Sequence, residues 1–203
     1  MEKEFNGQES LTLINEMISQ ARNNFRKETA NRVIFAGYSV AVVAIMNLIL
    51  VHTLPNPNQS YWIWLLMIPM SIINVCIAKK QDKQALVKTH IDKIIGAIWR
   101  AYGYSIIVLL LVIFGTTAII NTVYLPLLIT PIILTLTGLA QYATATACRF
   151  KPYFYGAAIF WIGALLCIGS YCTGNGSIQF IILAAAFIAG FAIPGQLLNR
   201  KAE

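Results

Sequence analysis

Six stretches of the chain are apolar for long enough to cross a bilayer. A hydrocarbon core about 30 Å thick needs roughly 20 apolar residues in helical form, with a range of about 17–25. Residues 33–53, 61–78, 101–120, 123–143, 153–171 and 178–198 meet that length without an Asp, Glu, Lys or Arg in any of them. The fourth stretch contains Pro126 and Pro131. These predict a kink rather than a break, because neighbouring helices can satisfy the carbonyls that a proline frees.

Two further stretches are amphipathic. Leu11, Ile14, Ile18, Ala21 and Phe25 recur at steps of three and four, with Leu13 and Met17 beside them. Glu9, Glu16, Arg22, Arg26 and Lys27 fall on other faces, as in a helix that covers one apolar stripe. Val87, Ile91, Ile94, Ile95 and Ile98 form a second stripe, with Lys88, Asp92 and Lys93 off it. Each precedes a membrane stretch. The expected fold is all-α: an integral membrane bundle of six transmembrane helices over residues 33–198. Amphipathic cytoplasmic helices are expected in the N-terminal segment 1–32 and in part of the inner loop 79–100, and a short tail follows at 199–203.

Charge orients the bundle. The loops at 54–60, 121–122 and 172–177 contain no Lys or Arg. All fifteen basic residues fall on the other side: five before the first span, six in 79–100, Arg149 with Lys151, and Arg200 with Lys201. Basic loops stay on the cytoplasmic side, so both termini are expected there, and an odd number of helices would break the alternation. Composition agrees, with 58% hydrophobic and 11% charged residues where a soluble domain carries roughly 25% charged. The net charge of +7 is accounted for by the inner loops, and nucleic acid is not an expected partner. The first 32 residues, with five acids and five bases, lack the apolar core of a secretory signal, so the first membrane helix is expected to serve as the targeting element. Tyr61, Trp62 and Trp64 are placed for an outer aromatic belt, and Trp99, Tyr102, Phe150 and Tyr153 for an inner one.

Catalytic patterns are missing. His52 at the outer mouth and His90 in the inner loop lie too far apart to share a site. Cys76, Cys148, Cys167 and Cys172 show no CxxC spacing, which points to small apolar side chains rather than a metal or redox pair. No phosphate-binding glycine loop, HExxH or GxSxG motif occurs. No enzyme activity, cofactor or metal is expected. What the membrane stretches hold instead is uncharged polarity. Thr130, Thr137, Gln141 and Thr144 share one face of the fourth helix, with Thr135 and Gly138 adjacent, and Asn47 and Asn74 lie in the first and second. Such a face serves either hydrogen bonding between helices or a path for a small uncharged solute, with Gln141 at its centre.

Small residues mark packing seams: Gly156, Gly163 and Ser170 on the fifth helix, and Ala186 and Gly190 on the sixth, with Pro194-Gly195 closing it. The seams serve the bundle itself or a second copy of the chain. The stripe Leu11, Ile14, Ile18, Phe25 is the candidate interaction face, taking the lipid headgroup layer, another part of the chain or a cytoplasmic protein partner. An internal echo pairs Gly37-Tyr38-Ser39 with Gly103-Tyr104-Ser105, and Leu65-Leu66-Met67-Ile68-Pro69 with Leu127-Leu128-Ile129-Thr130-Pro131.

The N-terminal run from Glu9 to Ile18 leading into Ala21-Arg22-Asn23-Asn24-Phe25 resembles uncharacterised small multi-pass membrane proteins of Bacteroidota. Tyr61-Trp62-Ile63-Trp64-Leu65-Leu66-Met67-Ile68-Pro69 and Ile91-Asp92-Lys93-Ile94-Ile95-Gly96 are similar to the same group. The resemblance implies a bacterial inner membrane and carries over no functional residue. The functional expectation is a non-enzymatic membrane scaffold or regulatory anchor acting through its cytoplasmic amphipathic segments, with a channel or facilitator for an uncharged solute as the alternative.

Overall fold

Helix runs without a break from Gly7 to Thr53. The computed structural model describes residues 7–84, 90–121, 124–172 and 174–200, though not the side chains of 7–11, 13–29, 58, 81–84 and 90. Its first helix, α1 (Gly7–Thr53), is a single element of 47 residues, roughly 70 Å at 1.5 Å per residue. No proline or glycine occurs between Gln8 and Ala36, so the usual causes of a sharp kink are missing. The segment expected as a separate amphipathic helix is therefore continuous with the first span. Its candidate face, Leu11, Ile14, Ile18 and Phe25, lies outside the described side chains. The middle segment behaves alike. From His90 onward it joins the third helix, α3 (His90–Ile120), while Val87 lies outside the described residues.

The other helices are α2 (Met67–Gln84), α4 (Ile129–Cys148), α5 (Lys151–Cys172), α6 (Ile178–Phe187) and α7 (Ile193–Arg200). Six stretches are long and apolar enough to cross a membrane: Ala30–Thr53, Gln59–Lys80, Ile91–Ile120, Leu125–Cys148, Lys151–Cys172 and Ile178–Arg200. This is the architecture of a multi-pass membrane protein, and among the described residues it contains no strand. The helices neighbour one another in the order α2, α1, α6 with α7, α5, α4, α3. Consecutive α2 and α3 end up at opposite ends of that series, with no packing between them among the described residues.

Prolines shape how the spans begin. A 3-10 stretch, Pro57–Leu66, leads into α2, and a shorter one, Leu125–Leu128, leads into α4. Both α-helices then carry proline as their third residue, Pro69 and Pro131. The first turn of an α-helix has no internal acceptor for its N–H groups, so proline costs little there. Both prolines of the fourth stretch thus lie at its entry, and α4 runs from Ile129 to Cys148 with no proline beyond its first turn. The two echo segments share this switch from 3-10 to α at the same register. The other echo does not extend to packing: Gly37 is buried against the sixth span, whereas a Cβ on Gly103 would meet nothing within 4 Å.

Small residues set the main seams. Ala30, Ile34, Gly37, Ala41 and Ala44 recur at steps of four and three along α1. Gly37 lies against the backbone at Phe187 and Ala192, and Ile34 with Ala30 lies against Gly195. Ala41 and Ala44 share a core cluster with Leu183, Ala184, Phe187 and Phe191. At its centre Phe160, Phe187 and Phe191 pack edge to face, with ring centres 5.0–5.4 Å apart, a favoured aromatic geometry. A second cluster of Ala30, Ala145, Tyr153 and Leu198 joins four helices near the basic end. The glycines Gly156 and Gly163 pack inside this chain, against Gly190 and Ala186.

Candidate functional site

The polar face of α4 is fully internal. Thr130, Thr137, Gln141 and Thr144 are all buried. Thr144 Oγ1 donates to the Ala140 carbonyl at 2.8 Å, within its own helix. Thr137 Oγ1 donates to the Ile133 carbonyl at 2.7 Å and lies 2.9 Å from the Tyr102 hydroxyl of α3. Thr135 and Gly138, beside this face, receive the indole of Trp161. Its Nε1 donates to the Thr135 carbonyl at 3.3 Å, and a Cβ on Gly138 would meet that nitrogen at 2.6 Å.

Gln141 crosses to the sixth span. Its Nε2 donates to the Gly190 carbonyl at 3.4 Å, while its Oε1 is buried without a partner. The need for this bond is written four residues later. In an α-helix the Gly190 carbonyl would accept from the N–H of residue 194, but Pro194 has none and its ring would clash with that carbonyl. The helix responds by widening into a π-turn over Ile188–Ala192, where the Ile193 N–H reaches back to the Ile188 carbonyl. Pro194 therefore does not close the sixth helix, which resumes as α7 and runs to Arg200. At the entry of α4 the Leu127 carbonyl, in the 3-10 turn, is likewise met from another helix, by the Tyr171 hydroxyl. Inside a bilayer no water stands ready to do this, so another helix must.

The partners in four polar contacts were not legible in the sequence. Asn47 of α1 is fully buried. With its amide turned to suit its neighbours, Nδ2 donates to Ser60 Oγ at 3.0 Å and to the Ser60 carbonyl at 3.1 Å, and Oδ1 accepts from Trp64 Nε1 at 2.9 Å. Trp64 thus belongs to the bundle rather than to the expected outer belt, whereas Trp62 is 71% exposed. Tyr153, expected in the inner belt, is core instead at 2% exposure. Gln179 sits 2.8 Å from the Tyr171 hydroxyl, and Gln196 Nε2 donates to the Tyr38 hydroxyl at 2.9 Å. Arg32 Nε donates to Asn74 Oδ1 at 3.4 Å, tying α1 to α2 near the basic end. A lone amide in an apolar run gives a signal for each, but the partner lies on a helix that sequence spacing does not identify.

Among the described residues, two open grooves lie on the outer surface. One is lined by Tyr104, Ser105, Val108 and Leu136 between α3 and α4, and another by Pro131, Thr135, Trp161 and Leu165 between α4 and α5. Among the described residues no group of three His, Cys, Asp or Glu is placed to hold a metal ion. Fold and site together define a helical membrane bundle closed by interhelical hydrogen bonds. No protein-family model matches the chain, and neither a curated protein nor a solved structure matches it.

Proposed function

We propose that the protein is a non-enzymatic scaffold or regulatory anchor of a bacterial inner membrane, with both termini and the basic end in the cytoplasm. Its working part is the extension of α1, which takes a cytoplasmic protein partner through Leu11, Ile14, Ile18 and Phe25. The observation that carries this reading is continuity. The extension is one helix with a span that packs on α2, α6, the π-turn and α7. A load or partner on residues 7–29 would therefore act directly on the bundle. The facilitator alternative has less support, because the residues of the α4 face are engaged in packing and in bonds between or within helices.

The test is crosslinking in intact membranes with the full chain and with residues 1–29 deleted. A crosslinked protein species lost on deletion is expected, and an unchanged pattern would remove the extension as a working surface. Orientation has its own check in two native cysteines. Cys148 is exposed beside Arg149 at the basic end, and Cys172 is exposed at the opposite end of α5. An impermeant thiol reagent added to whole cells with a permeable outer envelope is expected to label Cys172 and spare Cys148. The reverse pattern would invert the topology.

A further inference from the structure

The π-turn of the sixth span is held by parts of unequal strength. On one side Gly37 lies against Phe187 and Ala192, where a Cβ would stand 3.0 Å from the Phe187 carbonyl oxygen and the Ala192 nitrogen. On the other, a Cβ on Gly156 would meet the Gly190 carbonyl oxygen at 2.5 Å. These are close, well-formed contacts. The hydrogen bond that answers the freed carbonyl is long, at 3.4 Å, and it comes from an amide whose own oxygen is buried and unpartnered. A buried amide that is half satisfied gains less than one fully bonded, because the unmet acceptor keeps its desolvation cost. Wide turns of this kind recur at functional positions in helices.

We propose that the sixth span is a hinged helix, with its hinge at Ile188–Ala192 and its latch at Gln141. In the latched state Gln141 holds the Gly190 carbonyl. In the released state α7 swings relative to α6. The parts that move with α7 are on the page. Gly195 rests against Ile34 and Ala30 of α1, and Gln196 holds the Tyr38 hydroxyl. Phe191, in the hinge itself, packs edge-on against Trp99 of α3 with ring centres 5.6 Å apart. Release would therefore reach α1, which extends well before its membrane-crossing length, and the basic end of α3. The hinge does not depend on the anchor reading above. Gln141 acts here as a positioning residue.

The experiment places spin labels at Ile181 and Leu197, both exposed and on opposite sides of the hinge, in the full chain with its native cysteines replaced, in lipid nanodiscs. The unsubstituted hinge is expected to give one dominant distance. Gln141→Leu is expected to raise a second component roughly threefold, the factor that corresponds to one interhelical hydrogen bond in a membrane. Gln141→Asn, one methylene too short to reach, is expected to do the same and covers a failure of the leucine variant to fold. Adding Pro194→Ala supplies the missing N–H to the Gly190 carbonyl, makes the latch redundant, and is expected to return the single distance. An unchanged distribution in both Gln141 variants would overturn the hinge. So would a second component that survives Pro194→Ala, since that reports general loosening of the bundle.

Discussion

The second and third spans differ from the other four in a way their hydropathy does not announce. The third has a mean hydropathy of 2.4, above all the others, yet 6% of its most apolar window is buried; for the second span the share is none. The fourth and fifth have the lowest mean hydropathies, 1.5 and 1.6, and bury 39% and 44% of theirs. In water the most apolar helix goes to the centre. In lipid an apolar side chain gains nothing by leaving the hydrocarbon, so helices are brought together by close backbone approach and by polar groups that need partners. The packed spans hold Gly156, Gly163, Gly190, Thr137, Gln141 and Asn47 at their contacts. The outer pair shows lipid such residues as Leu111 and Val112.

Five substitutions sharpen that contrast. The largest effect is expected at Gly156, where an added Cβ would press into the Gly190 carbonyl. Gly156→Ala should cost about 1–3 kcal/mol of stability in detergent, the usual price of overpacking. Gly103→Ala on α3, with nothing within 4 Å, should be neutral or stabilising by up to about 1 kcal/mol through helix propensity. Equal melting shifts for the pair would erase the distinction between core and outer spans. Next comes Asn47→Leu, which strands Ser60 and the Trp64 indole and should cost about 1–2 kcal/mol, with a change in tryptophan emission as Trp64 loses its acceptor. Thr137→Val removes the one side-chain hydrogen bond described between α3 and α4 and should cost about 0.6 kcal/mol. Amide exchange in α3 should rise while that of α5 stays level. Smallest is Leu111→Ala, at a site 69% exposed, where thermal denaturation should move by less than about 0.5 kcal/mol.

Much of this was visible in the residues alone. The six spans follow from uncharged length, and their ends agree with the membrane-crossing stretches of the structure to within about five residues, except that the third stretch starts at Ile91 rather than at residue 101. That the α4 face would be internal follows from polarity in an apolar run. The partners across helices were out of reach. Asn47 signals a need, but Ser60 and Trp64 answer it only because a 3-10 entry turns them toward α1. Pro194 looks like a stop, but the helix widens into a π-turn ahead of it and runs on, and Gln141, 53 residues earlier in the sequence, reaches the Gly190 carbonyl. Gln179 and Gln196 carry the same signal. The neighbour order was likewise illegible, because apolar helices of similar length differ little in pattern until their small residues are matched to the bulky ones opposite.

The pairing of α1 with the sixth span has a consequence for biogenesis. The chain's first membrane helix leaves the ribosome long before the helix it packs against. Four spans must enter the bilayer before α6 and α7 are available to cover Gly37, Ala41 and Ala44. Bringing together segments so far apart in the chain is the slow kind of closure. Until then the seam of α1 faces lipid or whatever else inserts nearby, so insertion of the sixth span is the event that commits the bundle to its final packing.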